Sequence, residues 1–180
     1  MTDYQSLDLS AHCNAGADLL GPDAKPPVGA QTFHGLPFQI GAEGGGPCFI
    51  ARGGDLGTGP LTLPIGQAAR RVIFAHRLLE TQLFEGDPVG RVVAHYVFHF
   101  AGGETVRIPI RERFETGFVP PGWGQAAFLA VPDQKNGVQP RYEGKWGGSG
   151  IRQTEATQAW PRAYYLWDWE NPHPDRVIES

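Results

Sequence analysis

The chain has 180 residues, a length typical of one domain, and its 15 Lys and Arg against 19 Asp and Glu give a net charge of −4. The acidic and basic residues are interspersed, unlike the clustered basic surface of a nucleic-acid-binding protein. No apolar run approaches the roughly 18 residues of a membrane span, and the N-terminal residues do not resemble a secretion signal. We therefore expect one domain over residues 1–180 with neither nucleic acid nor membrane as a partner, and the compartment stays open.

The chain is rich in residues that interrupt regular structure, with 25 Gly and 16 Pro. Such frequent interruption leaves little room for long helices and favours many short strands joined by loops. A chain of this length buries roughly 70% of its unfolded surface, so its core suffices without cross-links. Composition thus predicts an all-β domain.

The first 60 residues read mainly as loops and short strands. Cys13 and Cys48 lack metal-ligand spacing and define no disulfide framework, so one bridge and two free thiols both stay open. A structural calcium ion would need several oxygen ligands from one loop, and Asn14, Asp18 and Asp23 are the candidates. No other cofactor is predicted.

Residues 71–79 (RVIFAHRLL) predict a central strand. Alternation places Val72, Phe74, His76 and Leu78 on one face of it. Because its neighbours on that face are apolar, His76 is predicted to be a core histidine with its ring nitrogens hydrogen-bonded, rather than a catalytic group.

Residues 90–110 (GRVVAHYVFHFAGGETVRIPI) predict a β-hairpin whose turn contains Gly102 and Gly103. A one-residue slip would exchange the faces of a strand, so only one register buries the apolar side chains. A three-residue loop gives that register, with these pairs: Phe98 with Val106, Tyr96 with Ile108, and Ala94 with Ile110. The core face then comprises Val92, Ala94, Tyr96, Phe98, Phe100, Val106, Ile108 and Ile110.

The opposite face of this hairpin carries His95 and His99. On a strand these two residues lie about 13 Å apart, whereas zinc–nitrogen bonds are about 2.1 Å, so one metal cannot bind both. A site on either histidine would need ligands from elsewhere in the chain. Partly exposed histidines that bond neighbouring groups are the simpler interpretation.

The last predicted strands are residues 126–131 (AAFLAV) and 163–169 (AYYLWDW). Alternation in the second predicts that Tyr165, Trp167 and Trp169 belong to the core. With eight to ten strands and no amphipathic helix, we expect an antiparallel β-sandwich or jelly roll.

Aromatic residues in the loops suggest a binding site. Sugars present flat apolar faces edged by hydroxyl groups, so a sugar site needs an exposed aromatic plane with polar groups at its rim. The candidate ligand-binding residues are Trp123, Arg141, Tyr142, Glu143 and Trp146. The alternative is that these rings fold back over the open end of the sandwich.

Four segments, in order, resemble the galactose-binding-like β-sandwich modules attached to bacterial carbohydrate-active enzymes. They are the opening DLSAHCNAG, the strand RRVIFAHRL, the hairpin described above, and the closing AYYLWDWENPHPDRVIES. The resemblance implies a jelly-roll module without catalytic activity, which binds sugars or packs against a catalytic domain. It also implies framework positions, namely His76, Trp169, Asn171, Pro172 and Pro174.

Three functions follow as hypotheses. The first is a carbohydrate-binding accessory module that uses the loop aromatics. The second is an interaction module that docks on a catalytic domain or on a second copy of itself. The third is a small cupin-like metal enzyme, in which His76 or His95 converges with a carboxylate. Because residues 176–180 (RVIES) read as an interrupted strand, we also expect the domain to come from a larger polypeptide.

Overall fold

The computed structural model describes residues 4–42, 46–134 and 160–180. Nine strands lie within them: β1 (Gly29–Phe33), β2 (Leu36–Ile40), β3 (Gln67–Ala68), β4 (Arg71–His76), β5 (Val92–His99), β6 (Thr105–Arg111), β7 (Val131–Pro132), β8 (Tyr165–Glu170) and β9 (Val177–Ile178). The helices in the same residues are 3-10 helices of three or four residues: Ser10–His12, Ala17–Leu20, Gly54–Leu56 and Leu83–Glu85. The described chain is therefore all-β, as composition predicts. No helix in this part of the chain has the length and apolar character needed to cross a membrane.

Strand β8 organises the fold. It lies between β4 and β7 in an antiparallel sheet, with Trp169 opposite Val72 and Trp167 opposite Phe74. Every residue of β8 except Asp168 and Glu170 is buried. One alternating set of β8, which comprises Tyr165, Trp167 and Trp169, is fully buried, whereas only Leu166 is buried in the other set.

Different elements cover the two faces of this sheet. On one face, Trp167 and Trp169 pack against Phe98, Phe100 and Ile110 of the β5–β6 hairpin. On the other face, Leu166 and Tyr164 pack against Phe33 of the β1–β2 hairpin. Apolar clusters therefore pack on both sides of β8.

The predicted hairpin register is confirmed, because Phe98, Tyr96 and Ala94 pair with the predicted partners on β6. The predicted core face is wrong at its start. A β-bulge lies between Val92 and Ala94, and both of these residues are exposed, whereas Val93 packs against the core. The extra residue of a bulge reverses the alternation of the strand locally. Beyond the bulge, His95, Val97 and His99 face outward as predicted.

Two other strand predictions need correction. The strand predicted over residues 71–79 ends at His76, and β8 rather than β4 is the central strand of the sheet. The strand predicted over residues 126–131 is irregular until Val131, because the backbone amides of Phe128 and Leu129 bond to the turn that follows β6. Tyr165, Trp167 and Trp169 are buried, as alternation predicts.

The C-terminal segment closes against the hairpin turn. Strand β9 pairs with β3, and Ile178, which is fully buried, also bridges Phe100. The side chain of Asn171 accepts a hydrogen bond from the His173 amide at 2.8 Å and donates one to the Ala69 carbonyl at 2.8 Å. Asn171 therefore holds the turn after β8, which agrees with its predicted framework role.

Candidate functional site

Trp123 lies at the tip of a tight turn, and its side chain is almost fully in solvent. The Gln125 amide donates to the Gly122 carbonyl at 3.0 Å, and Gly124 has a φ of 72°, which is the backbone pattern of a type II turn. Trp123 itself is 96% exposed. The ring therefore does not fold back over the end of the strands, which was the alternative to a binding role for Trp123.

Phe84 lies next to the Trp123 turn, a proximity that the sequence does not indicate. A Cβ atom on Gly122 would lie 3.0 Å from two carbon atoms of the Phe84 ring, so only glycine allows this approach without displacement. Phe84 is 64% exposed. The same Cβ atom would lie 2.9 Å from Oε1 of Gln125, so an amide group also lies beside Gly122.

A buried carboxylate anchors the segment that carries Phe84. Glu112 is fully buried and accepts hydrogen bonds from the Thr81 hydroxyl and, at 3.2 Å, from the Arg91 guanidinium. The Thr81 hydroxyl oxygen in turn accepts the Leu83 amide at 3.2 Å, which starts the 3-10 helix of Phe84. Because a buried charge is tolerated only with partners, this network holds the residue 81–91 loop against β6.

The turn that follows β6 is built from charged residues. Arg113 adopts a φ of 69°, and its amide donates to the Thr116 carbonyl at 2.8 Å. The Glu115 carboxylate accepts the Arg111 amide at 2.8 Å and two guanidinium hydrogen bonds from the same residue. Burial raises the pKa of the Glu115 carboxyl, but the Arg111 hydrogen bonds outweigh burial and lower the pKa below its ordinary value.

Phe128 and Leu129 lie against this turn and are largely exposed, at 60% and 56%. The Phe128 amide donates to the Arg113 carbonyl at 2.8 Å, and the Leu129 amide donates to the Phe114 carbonyl at 3.0 Å. The guanidinium of Arg113 lies over the Phe128 ring, 4.6 Å from its centroid. These contacts fix two apolar side chains in positions that face solvent.

We call residues 81–91, 111–117 and 122–129 together the aromatic end. The direct contacts described above join its three segments. Sequence reasoning found Trp123 but missed Phe84, Phe128 and Leu129. Phe84 and its neighbour Leu83 form a short apolar pair in a polar run, and residues 128 and 129 fit a strand pattern, so no local signal distinguishes them.

The other four predicted ligand-binding residues, Arg141, Tyr142, Glu143 and Trp146, lie outside the described residues. Hydrogen bonds join the chain that precedes these residues to the chain that follows them. The Asp133 carboxylate accepts the backbone amides of Arg162, Ala163 and Tyr164 at 2.7 to 3.3 Å. The roles assigned to those four residues stay predictions.

His76 is a core histidine, as predicted. Its Nε2 lies 2.9 Å from the Glu115 carbonyl oxygen, which can only accept, so Nε2 carries the proton. The Tyr96 hydroxyl, 2.7 Å from Nδ1, then donates to it. Burial lowers the pKa of His76 to about 4, against a smaller opposing effect of Glu115. In this arrangement neither ring nitrogen is free for a metal.

The other candidate metal ligands are dispersed. The Asn14 amide is engaged in two hydrogen bonds with the backbone of Ala51, at 2.7 and 2.9 Å. Within residues 4–42, 46–134 and 160–180, no three His, Cys, Asp or Glu side chains are grouped closely enough to hold an ion. The structural calcium ion suggested for Asn14, Asp18 and Asp23 stays a prediction.

The two cysteines are free thiols in the structure. Burial raises the pKa of both Cys13 and Cys48. Since the thiolate is the reactive form, neither residue has the character of an activated nucleophile.

Two surface grooves lie away from Trp123 and Phe84. One, of about 550 Å³, lies beside Asp18 and Cys48, and the other, of about 300 Å³, lies beside Lys25 and Arg162. Neither groove is lined by Trp123 or Phe84. The aromatic end is thus an exposed surface rather than part of either groove.

Comparison of the chain with protein-family models, with curated proteins and with solved structures found no match. The fold and the site define an all-β domain with exposed aromatic residues on its connecting segments. The resemblance to galactose-binding-like modules stays a prediction from the residues that carry it.

Proposed function

We propose that this domain is a non-catalytic accessory module with a β-sandwich, galactose-binding-like fold, and that it binds carbohydrate through Trp123. The observation that supports the proposal most directly is the 96% exposure of Trp123 on a turn of defined geometry. An indole ring held in water contributes nothing to the core. It offers a flat apolar surface against which a sugar face can stack.

The surroundings of Trp123 suit a sugar better than a purely apolar ligand. Gln125 places an amide beside Gly122, the residue that precedes Trp123. An amide offers both a donor and an acceptor to sugar hydroxyls. Phe84 supplies a second exposed ring, so the surface extends beyond a single aromatic residue.

The β5–β6 and β1–β2 hairpins cover opposite faces of the sheet that contains β8. The connecting loops are therefore the part of this sheet's surroundings that a ligand can reach. Binding residues commonly lie on such loops, since a rigid scaffold positions them while leaving them free to contact ligand. This arrangement supports a sandwich in which recognition depends on the connecting segments.

Replacing Trp123 with alanine is expected to weaken oligosaccharide binding about ten-fold or more, because the stacking surface is lost. Isothermal titration with a panel of neutral oligosaccharides measures the effect. Tyr4→Ala, which removes an aromatic residue with 39% exposure near the N-terminus, is the matched control and should bind normally. Trp146→Ala tests the part of the predicted site outside the described residues. A wild-type protein that binds none of the panel would contradict the proposal.

A second candidate function is docking, either on a catalytic domain or on a second copy of this chain. Phe128 and Leu129 favour it, because two adjacent apolar side chains are held in solvent beside Arg113. Aromatic residues and arginine are typical of the centres of protein interfaces.

If the domain self-associates through this surface, Leu129→Asp is expected to convert the dimer to monomer, because a charge would enter the apolar interface. Sedimentation equilibrium measures the change, with Val97→Asp on the outer face of β5 as the control. A wild-type monomer at all concentrations would exclude self-association and leave a catalytic domain as the docking partner.

A further inference from the structure

The space around the Trp123 side chain is open on all sides. The side chain is 96% exposed, so the rest of the described chain leaves both faces of the indole ring free. Sites for small ligands are concave and bury most of the ligand surface. A single sugar unit stacked on Trp123 would contact the protein on one side and leave its other side in water. A ligand that ends at one sugar unit therefore gains little from this surface.

The Phe84 ring extends the surface next to Trp123. A Cβ atom built on Gly122 would lie 3.0 Å from both Cε1 and Cζ of Phe84, so the tip of the ring lies against the residue that precedes Trp123. Phe84 is 64% exposed, and its loop is held by the buried Glu112 carboxylate. Two exposed rings are therefore adjacent to each other on anchored segments of the chain.

The other exposed ring of the aromatic end is less available for stacking. A guanidinium group lies over each of the Phe114 and Phe128 rings, 4.4 and 4.6 Å from their centroids. These two rings also contact each other edge to face, with 5.3 Å between centroids. Among the described residues, no guanidinium lies over Trp123 or Phe84. Trp123 and Phe84 are therefore better placed than Phe128 to stack on sugar rings.

The charges near these two rings favour an uncharged ligand. The guanidinium groups of Arg91 and Arg111 are engaged in ion pairs with carboxylates of the aromatic end. Glu85, the acidic residue that follows Phe84, is exposed. A polyanionic ligand would meet this carboxylate while the two arginines are already paired, so electrostatics disfavour it.

We propose that the aromatic end binds an extended, neutral polysaccharide chain, with one sugar unit stacked on Trp123 and another unit of the same chain on Phe84. The proposal rests on the carbohydrate-binding function proposed above, and it specifies the ligand as a polymer rather than a terminal sugar. Once the first unit is bound, the second contact is intramolecular and raises the affinity without a further association step. Chain length thus supplies the contact area that one open ring lacks.

Phe84→Ala tests the proposal when ligands of two lengths are compared. The probes are glucose, mannose and galactose, and the hexasaccharides of cellulose, mannan and galactan, titrated by NMR. For the sugar series that binds, the substitution is expected to weaken hexasaccharide binding about ten-fold, because one stacked ring is lost. Binding of the monosaccharide through Trp123 should be nearly unchanged. Phe84→Tyr keeps the ring and should bind both lengths as the wild type does.

Gly122→Ala separates the placement of the rings from their presence. Its Cβ atom displaces the Phe84 ring and leaves both aromatic side chains in the protein, so it should weaken hexasaccharide binding but not monosaccharide binding. Val89→Ala is the control, since Val89 is another exposed apolar residue on the same loop, at 53% exposure, and this variant should bind normally.

If Phe84→Ala weakened binding of the two ligand lengths equally, or weakened neither, the extended-chain proposal would be wrong and carbohydrate binding through Trp123 would stand. A wild-type protein that binds no probe of either length would instead contradict the carbohydrate-binding function, and the extended-chain proposal with it.

Discussion

Replacing Trp169 with alanine is expected to lower the free energy of unfolding by about 3–5 kcal/mol. Trp169 is 7% exposed, and its ring stacks on Phe98 with 3.7 Å between centroids and 10° between planes. This contact joins β8 to the β5–β6 hairpin, so the substitution opens a cavity between two layers of the fold. Urea denaturation followed by circular dichroism measures the loss.

Asp168→Ala is the matched control on the same strand. The Asp168 side chain is 39% exposed and pairs with Arg71, whose side chain is 38% exposed. Exposed ion pairs contribute at most about 1 kcal/mol, so this variant should unfold close to wild type. Equal effects of the two substitutions would show that the layers do not meet at Trp169.

The protein is expected to lose about 3 kcal/mol of stability between pH 7 and pH 4 because of His76 alone. The pKa of His76 falls from 6.5 to about 4 on folding, since the ring is buried between Tyr96 and Glu115. As the pH falls below 6.5, the unfolded chain binds a proton that the folded chain does not, and one pKa unit corresponds to about 1.4 kcal/mol. Below pH 4 both states are protonated, and this contribution stops changing.

The variant His76→Gln isolates the effect. Glutamine retains a donor and an acceptor but does not titrate, so its free energy of unfolding should change less between pH 6.5 and pH 5 than that of the wild type. This range is chosen because Glu115, whose pKa is lowered on folding, contributes stability that is lost only at more acidic pH. Parallel pH profiles for the two proteins would show that His76 is accessible to protons in the folded state.

Much of the fold could be predicted because its signals are local. The turn at Gly102 and Gly103, together with the alternation on either side, admits only one register that buries the apolar residues. The same alternation identified Trp167 and Trp169 as core residues. His76 was assigned to the core because its neighbours on the strand are apolar.

The errors arise where distant parts of the chain compete with local pattern. The bulge at Val92 and Ala94 reverses the burial of the first residues of β5. Residues 128 and 129 have the composition of a strand, but their backbone amides donate hydrogen bonds to the turn after β6. In both cases hydrogen bonds to a partner strand or turn, which sequence alone does not show, outweigh the local preference.

The candidate site likewise has one part that the sequence predicts and one part that depends on the tertiary structure. The exposure of Trp123 follows from its turn, which Gly122 and Gly124 make possible. The approach of Phe84 to this turn depends on Glu112, a buried carboxylate 28 positions further along the chain that also bonds to Thr81 and Arg91. Such a network forms only when three segments have already folded together.

The amino-acid sequence by itself determined the all-β class, the hairpin register and the buried face of β8, because side-chain alternation and turn glycines act within a few residues. Only the tertiary structure decided which apolar residues stay in solvent at the aromatic end. Burial of an apolar side chain depends on which distant segment covers it, and no segment in the described part of the chain covers Trp123, Phe84 or Phe128 fully.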